Sequence, residues 1–231
     1  MIDVFTSAFL FFFRFWMRSR LDRVFCRGGA SPLISSTPEQ PVLLVANHVS
    51  WWDGFLLAEF QRTLLPAYSL RVAMDEIEYF KRPWMRWLGV IPLDRKNPLG
   101  FLGFLRLLKK HIAQVNDRRL CLLFFPQGEL CSAHKRPLGF RRGAEIVARE
   151  ISPCRILPVA IHMDWGTTPE PRAWISAGVP IDSSEMSLDG LELLVEQQLD
   201  SIQSFLSKAG ERAPELAREA GFVPLACGRS G

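Results

Sequence analysis

A chain of 231 residues with 48% hydrophobic composition is long enough to bury one sizeable core, which points to a single globular domain with an appendage. Its net charge of +4 is too small to call for a nucleic-acid partner, and no nucleic acid is expected; the excess suits an anionic membrane face or a phosphate-bearing substrate. Cys26, Cys121, Cys131, Cys154 and Cys227 form no CxxC pair and have no histidines at metal-ligand spacing, so the thiols read as reduced, with neither a structural metal nor a disulfide expected.

Residues 4–13 (VFTSAFLFFF) are a nearly unbroken apolar run, closed by Arg14 and followed by Arg18, Arg20, Arg23 and Arg27. A helix that crosses a bilayer needs about 20 apolar residues, and this run stops short. A secretory signal would carry its basic residues first, whereas here they come last. The expectation is a helix lying in the membrane interface, aromatic side chains in the acyl region and arginines at the headgroups; an amphipathic helix packed on the domain is the alternative. Residues 28–41 are rich in Gly, Ser and Pro and mark a linker. Residues 1–35 are thus read as a membrane-interfacial segment and linker, and the protein as peripheral or monotopic on the cytoplasmic face of a membrane.

Short apolar strands and helical stretches then alternate. Strands are expected at 41–46, 68–74, 90–93, 120–125, 156–162 and, more weakly, 172–177. Helices are expected at 52–61, 79–88, 98–115, 142–150 and 188–208, from apolar residues at helical spacing. This alternation defines an α/β single domain, residues 36–209, with a mixed, largely parallel sheet flanked by helices and preceded by the N-terminal interfacial anchor. Residues 210–231, with Pro214, Gly221 and Pro224, read as a loosely ordered tail.

Sites in open α/β sheets form where strands end and helices begin. The strand at 41–46 runs directly into Asn47-His48-Val49-Ser50-Trp51-Trp52-Asp53-Gly54. In one continuous helix, residues five apart point about 140° away from each other, so His48 would not touch Asp53. With His48 in the turn and Asp53 in the first helical turn, the carboxylate can bond one ring nitrogen and leave the other as a proton acceptor. A structural histidine beside a helix-terminal aspartate is the plainer reading of such a pair on its own.

Asn47-His48-x4-Asp53 resembles the NHx4D signature of the glycerophospholipid acyltransferase family, which includes the 1-acylglycerol-3-phosphate acyltransferases. Further blocks follow in that family's order. Gly89-Val90-Ile91-Pro92-Leu93-Asp94-Arg95 is similar to the second, Phe125-Pro126-Gln127-Gly128-Glu129 to the third (usually FPEGTRS), and Ile156-Leu157-Pro158-Val159-Ala160 to the fourth. Arg141-Arg142-Gly143-Ala144 matches the basic-Gly-Ala helix start that commonly follows the third block.

The resemblance implies transfer of a fatty acyl group from acyl-CoA or acyl carrier protein to a lipid hydroxyl, with no cofactor beyond that co-substrate. The implied acceptor is 1-acyl-sn-glycerol-3-phosphate. It implies His48 as the base, Asp53 as its support, Arg95 as a phosphate contact, and Gln127, Gly128 and Glu129 as substrate contacts, with backbone amides near Gly128 facing the oxyanion. The implied partner is a membrane lipid surface.

The third block departs from the pattern: Gln127 stands where the family usually has Glu, and Glu129-Leu130-Cys131 replaces Thr-Arg-Ser. A non-phosphorylated hydroxylated acceptor, such as a glycosylated carotenoid or a lyso-aminolipid, therefore stays open, as does a non-catalytic lipid carrier. A serine hydrolase is disfavoured because no G-x-S-x-G elbow exists. His134, Lys135 and Arg136 read as a basic rim or a solvated loop, His111 as inert, and His162, at a strand end, as a weak candidate.

Overall fold

The computed structural model of the chain describes residues 13–28, 40–114 and 120–225. After a helical stretch at 13–20 come β1 (Val24–Arg27), β2 (Val42–Ala46), α1 (Asp53–Leu64), β3 (Ser69–Asp75), α2 (Glu76–Lys81), a 3-10 turn (Pro83–Leu88), β4 (Val90–Leu93) and α3 (Pro98–Gln114). The second half contributes β5 (Leu120–Phe124), α4 (Gly143–Glu150), β6 (Arg155–Trp165), β7 (Pro171–Ala177), β8 (Ile181–Asp182), α5 (Leu188–Ala209), α6 (Ala213–Leu216) and β9 (Val223–Pro224). Among the described residues the strands form one nine-stranded sheet in the order β4-β3-β5-β2-β6-β7-β1-β9, with β8 also on β6. The pairs from β4 through β6 are parallel, whereas β6–β7, β6–β8 and β1–β9 are antiparallel.

The central strands explain themselves. Every residue of β2 (VLLVA) and β5 (LCLLF) is buried, as parallel strands covered on both faces require. One face packs under α3, α4 and α5, where Leu191, Val195, Leu199 and Ile202 give α5 an apolar stripe at helical spacing. The other face packs under α1, through Leu56, Leu57 and Phe60, and under the helical stretch 13–20, through Phe13 and Met17. Burial pushes the thiols of Cys26 and Cys154 up to about 11 and that of Cys121 to about 12, so these cysteines behave as small apolar packing groups.

Three expectations are revised. The helix expected over 79–88 is split: α2 stops at Lys81, Arg82 leaves the helical region (φ −132°, ψ 74°) before Pro83, and the proline opens the 3-10 turn. Residues 24–27, read from the sequence as part of the anchor, are strand β1, paired in parallel with β7 from Val24↔Ala173 to Arg27↔Ser176. The tail expected after Ala209 folds back instead: Phe222 is fully buried against Trp174, and the Leu225 N–H bonds Val24 O at 2.8 Å. Burial of Ala213, Ala217 and Phe222 in the main core supplies the order that composition concealed.

Most of the apolar run expected to lie in the interface falls outside the described residues, as do most of the linker and residues 226–231. Its last part, residues 13–20, packs on the domain: the Phe13 and Phe55 rings are 4.1 Å apart, and Arg14 Nε meets Glu59 at 3.2 Å. Among the described residues no helix is long and apolar enough to cross a membrane.

Candidate active site

Four connections leave the C-terminal edge of the parallel strands and converge there: β2 to α1, β3 to α2, β4 to α3, and β5 to α4. At the first, Asn47 is wholly buried and bonds the backbone of Ile161 twice, Nδ2 to the carbonyl at 2.9 Å and Oδ1 from the N–H at 2.8 Å. Its amide thereby extends the β2–β6 ladder while the main chain turns away from the sheet.

His48 stands in that turn and Asp53 opens α1. Nδ1 of His48 lies 2.8 Å from Asp53 Oδ2. The same oxygen accepts from the N–H groups of Val49 and Ser50 at 2.6 and 2.9 Å, and Oδ1 accepts from Ser50 Oγ at 2.5 Å. A fully buried carboxylate with four donors is an acceptor only, so the proton on this bond belongs to Nδ1. The ring stacks on Phe125, centroids 4.3 Å apart and planes within 19°, which leaves it little rotational freedom. Held so, the imidazole offers Nε2 as a base, and the carboxylate is placed to stabilise the imidazolium.

The backbone of His48 is clamped from the β5–α4 connection. Its N–H donates to Gln127 Oε1 at 2.7 Å, and its carbonyl accepts from Cys131 N at 2.8 Å. The Gln127 Nε2 donates in turn to Leu138 O at 3.0 Å, and the residue is 2% exposed. Gln127, expected from the sequence to touch substrate, has both ends of its amide engaged and is a brace for the His48 turn. The amide of Gly128, expected near an oxyanion, is also engaged, donating to Phe125 O at 3.0 Å.

Gly128 earns its place otherwise. It sits at φ +73°, and a Cβ there would lie 3.3 Å from Arg95 Nη1 and 3.6 Å from Arg141 Nη1. Two guanidinium groups therefore flank this glycine. Arg95 is oriented by Asp75, whose Oδ2 accepts from Nε at 2.8 Å while Oδ1 caps α2 through the Ile77 and Glu78 N–H groups. Arg141 meets Glu129 at 3.3 Å. Arg141 was visible in the sequence only as a helix start; its membership of the site comes from the chain reversal at 126–141, closed by the Arg141 N–H on Pro126 O. Replacing Gly128 by alanine should cost about 1 kcal/mol, because a side chain at positive φ is strained, and should lower Tm by about 2–4 °C. Thermal unfolding checks this, and an unchanged Tm would mean the turn accepts a Cβ.

The remaining expected residues stand apart from this centre. Arg136 pairs with Asp200 on α5, Lys135 Nζ approaches Cys131 Sγ at 3.8 Å, and the His111 ring bonds Leu107 O on its own helix. His162 is buried 6.0 Å from the His134 ring, and burial holds its pKa below the ordinary value, with His134 and Arg136 adding to the effect against Asp164.

His48, Arg95, Gly128 and Glu129 line one cavity of about 860 Å³. It runs between α1, the 3-10 turn and the β3–β4 side of the sheet, past Phe55, Ala58, Val72 and Met85 to Tyr68 and Arg71. The strand alongside it, β3, is seven residues long, about 20 Å. Phe13 and Met17 from the helical stretch 13–20 supply part of the wall. A largely apolar cleft of this size that also presents polar side chains is the usual form of a small-molecule site.

An imidazole held on a carboxylate at the wall of a largely apolar cleft that also carries Arg95 can take a proton from a hydroxyl bound there. A sequence profile of the Acyltransferase family matches residues 31–162. The chain belongs to the Acyltransferase family and is an acyltransferase. Its fold is similar to the crystal structure of the 1-acyl-sn-glycerophosphate acyltransferase from Thermotoga maritima, with a TM-score of 0.55 and 17% identity over 87% of this chain and 90% of that one.

Proposed function

We propose that the chain transfers a fatty acyl group from a thioester donor, acyl-CoA or acyl carrier protein, to the free hydroxyl of 1-acyl-sn-glycerol-3-phosphate or a close relative. The observation that carries this reading is the His48–Asp53 bond of 2.8 Å on the wall of an apolar cavity that also carries Arg95. Nε2 of His48 takes the hydroxyl proton as the oxygen attacks the thioester carbonyl. The tetrahedral intermediate collapses with cleavage of the C–S bond, and the imidazolium returns its proton to the leaving thiolate. Products are the new ester and the free thiol. Direct attack needs no acyl-enzyme, and the catalytic gain comes from positioning and proton transfer. The acyl chain occupies the apolar cleft, while Arg95 and Arg141 hold the phosphate through paired N–H donors. Such substrates place the enzyme against the cytoplasmic face of a membrane, where the thioester donors reside.

The test is thiol release from oleoyl-CoA by the purified chain with a panel of acceptors: lysophosphatidic acid, a lyso-aminolipid and a glycosylated carotenoid. Lysophosphatidic acid should be consumed fastest. Arg95→Ala should raise its KM by about 10- to 100-fold with a smaller change in kcat, as expected for loss of a charge-assisted hydrogen bond worth about 1.5–3 kcal/mol. Equal or faster turnover of an acceptor without phosphate, insensitive to Arg95→Ala, would assign the non-phosphorylated class instead. Thiol release with none of the three would return the carrier reading.

A further inference from the structure

Helix α2 (Glu76–Lys81) buries none of its residues, yet it carries two large apolar side chains one turn apart, Ile77 at 57% exposure and Phe80 at 66%. Polar contacts hold much of its other side: Asp75 caps its first turn, and Glu78 pairs with Lys81 and Arg82. The helix is tied to the rest of the domain through its cap, Asp75, which accepts from Arg95, and is left with an uncovered apolar side. A soluble surface gives no return for that arrangement, whereas a lipid interface does.

Its neighbours share the pattern. Trp51, after β2, and Leu130, after β5, are exposed and line the cavity, and the guanidinium of Arg82 lies 5.7 Å over the Trp51 ring. Trp51 also contacts Trp16, centroids 6.0 Å apart, next to the exposed Phe15. All of the strand-end segments leave the same edge of the sheet as His48. Three of them, residues 75–86, 94–97 and 125–142, hold nine Lys and Arg against five Asp and Glu, an excess that favours an anionic surface. The apolar run 4–12 joins the domain at Phe13, which packs beside Phe55 and Trp84 at this same edge.

We propose that this edge is a membrane-docking face, with Ile77 and Phe80 of α2 inserted among the acyl chains of an anionic bilayer and the basic residues at its headgroups, so that the cavity opens onto lipid. The inference rests on the acyltransferase reading with a lipid acceptor and adds to it the surface through which that acceptor arrives. Docking by α2 acts alongside the N-terminal run and sets the orientation that aligns the cavity with the bilayer.

The test uses the full chain and the double variant Ile77→Glu/Phe80→Glu, neither residue being part of the cavity wall. One acceptor is a long-chain lysophosphatidic acid in vesicles of phosphatidylcholine and phosphatidylglycerol; the other is its short-chain, water-soluble homologue. The variant should lose about tenfold or more of its rate on the vesicle-borne acceptor, from the apolar burial forgone, with the soluble rate unchanged. Its vesicle-bound fraction should fall as well. Leu193→Glu, at an exposed apolar site on α5, should change neither. A double variant that matches the wild type on vesicles in both rate and bound fraction overturns the proposal. So does a lipid-free dimer of the wild type that the same substitutions dissociate, which would make the face a self-association surface. Wild-type protein that turns over neither acceptor rejects the functional reading instead, and vesicle binding by the two forms still decides the docking face.

Discussion

His48→Ala should lower turnover by about 10²- to 10⁴-fold, the usual contribution of a positioned general base, with little change in KM for either substrate. The His48 ring is 24% exposed and its loss leaves the Asp53 carboxylate with the Val49, Ser50 N–H and Ser50 hydroxyl donors, so the fold should survive. Steady-state thiol release, with far-UV circular dichroism as a check on folding, measures the effect. Asp53→Asn is the informative companion. An amide in place of the carboxylate brings an NH2 group among four donors, so the tautomer is no longer fixed and part of the turn loses its acceptor. Its kcat should fall nearly as far as in His48→Ala, and the double substitution should be little worse than either alone, because the two side chains act as a unit. Turnover by His48→Ala within a few-fold of the wild type would remove the base from the reaction.

The second large effect is expected at a residue whose side-chain amide is engaged at both ends by the protein itself. Gln127 accepts from the His48 N–H and donates to Leu138 O. An ionised glutamate at this buried position has no proton for the Leu138 carbonyl, so two oxygens would face each other. Only the protonated form reproduces both bonds, which raises the folded-state pKa of Gln127→Glu above the ordinary value near 4.3. The sign follows from that direction: the variant keeps its stability below the unfolded-state pKa and loses it as pH rises through the folded-state value. At neutral pH the loss should reach about 2–4 kcal/mol, and kcat should fall as the His48 turn loosens. Thermal unfolding and kcat measured from pH 8 downward should both improve for the variant relative to the wild type. Gln127→Leu, which satisfies neither partner, should show the loss without the recovery. A Gln127→Glu protein as stable and active as the wild type at pH 8 would show that the brace tolerates charge.

The sheet was legible because its central strands are apolar at every position: residues 41–46 and 120–125 read as buried strands without any knowledge of their partners. The strand at 90–93 and the long helix beginning at Pro98 announced themselves by turn residues and leucine spacing. β1 did not. Its four residues, Val24–Arg27, follow Arg23 and end in an arginine themselves, and the strand exists only because β7 and β9 pair with it from far along the chain. The tail was missed for the same reason, since Phe222 and Leu225 are ordered by distant packing and their own spacing carries no period.

At the site, the spacing of His48 and Asp53 made sense once a strand end separated them. The roles of the third block could not be read from letters. Whether Gln127 faces substrate or backbone depends on where Leu138 returns, and whether Arg141 belongs with Arg95 depends on the shape of an intervening reversal. The course of the cavity was not legible, because it is the space left between α1, the 3-10 turn and β3 once they are packed.

Phe13, Arg14 and Met17 form part of the cavity wall, which ties the beginning of the chain to what the enzyme can hold. A shortened version, cut at Leu21 to make the protein easier to handle in water, would keep the whole catalytic apparatus and yet be unroofed along one side. Its preference among fatty chains would then describe the truncation and not the enzyme.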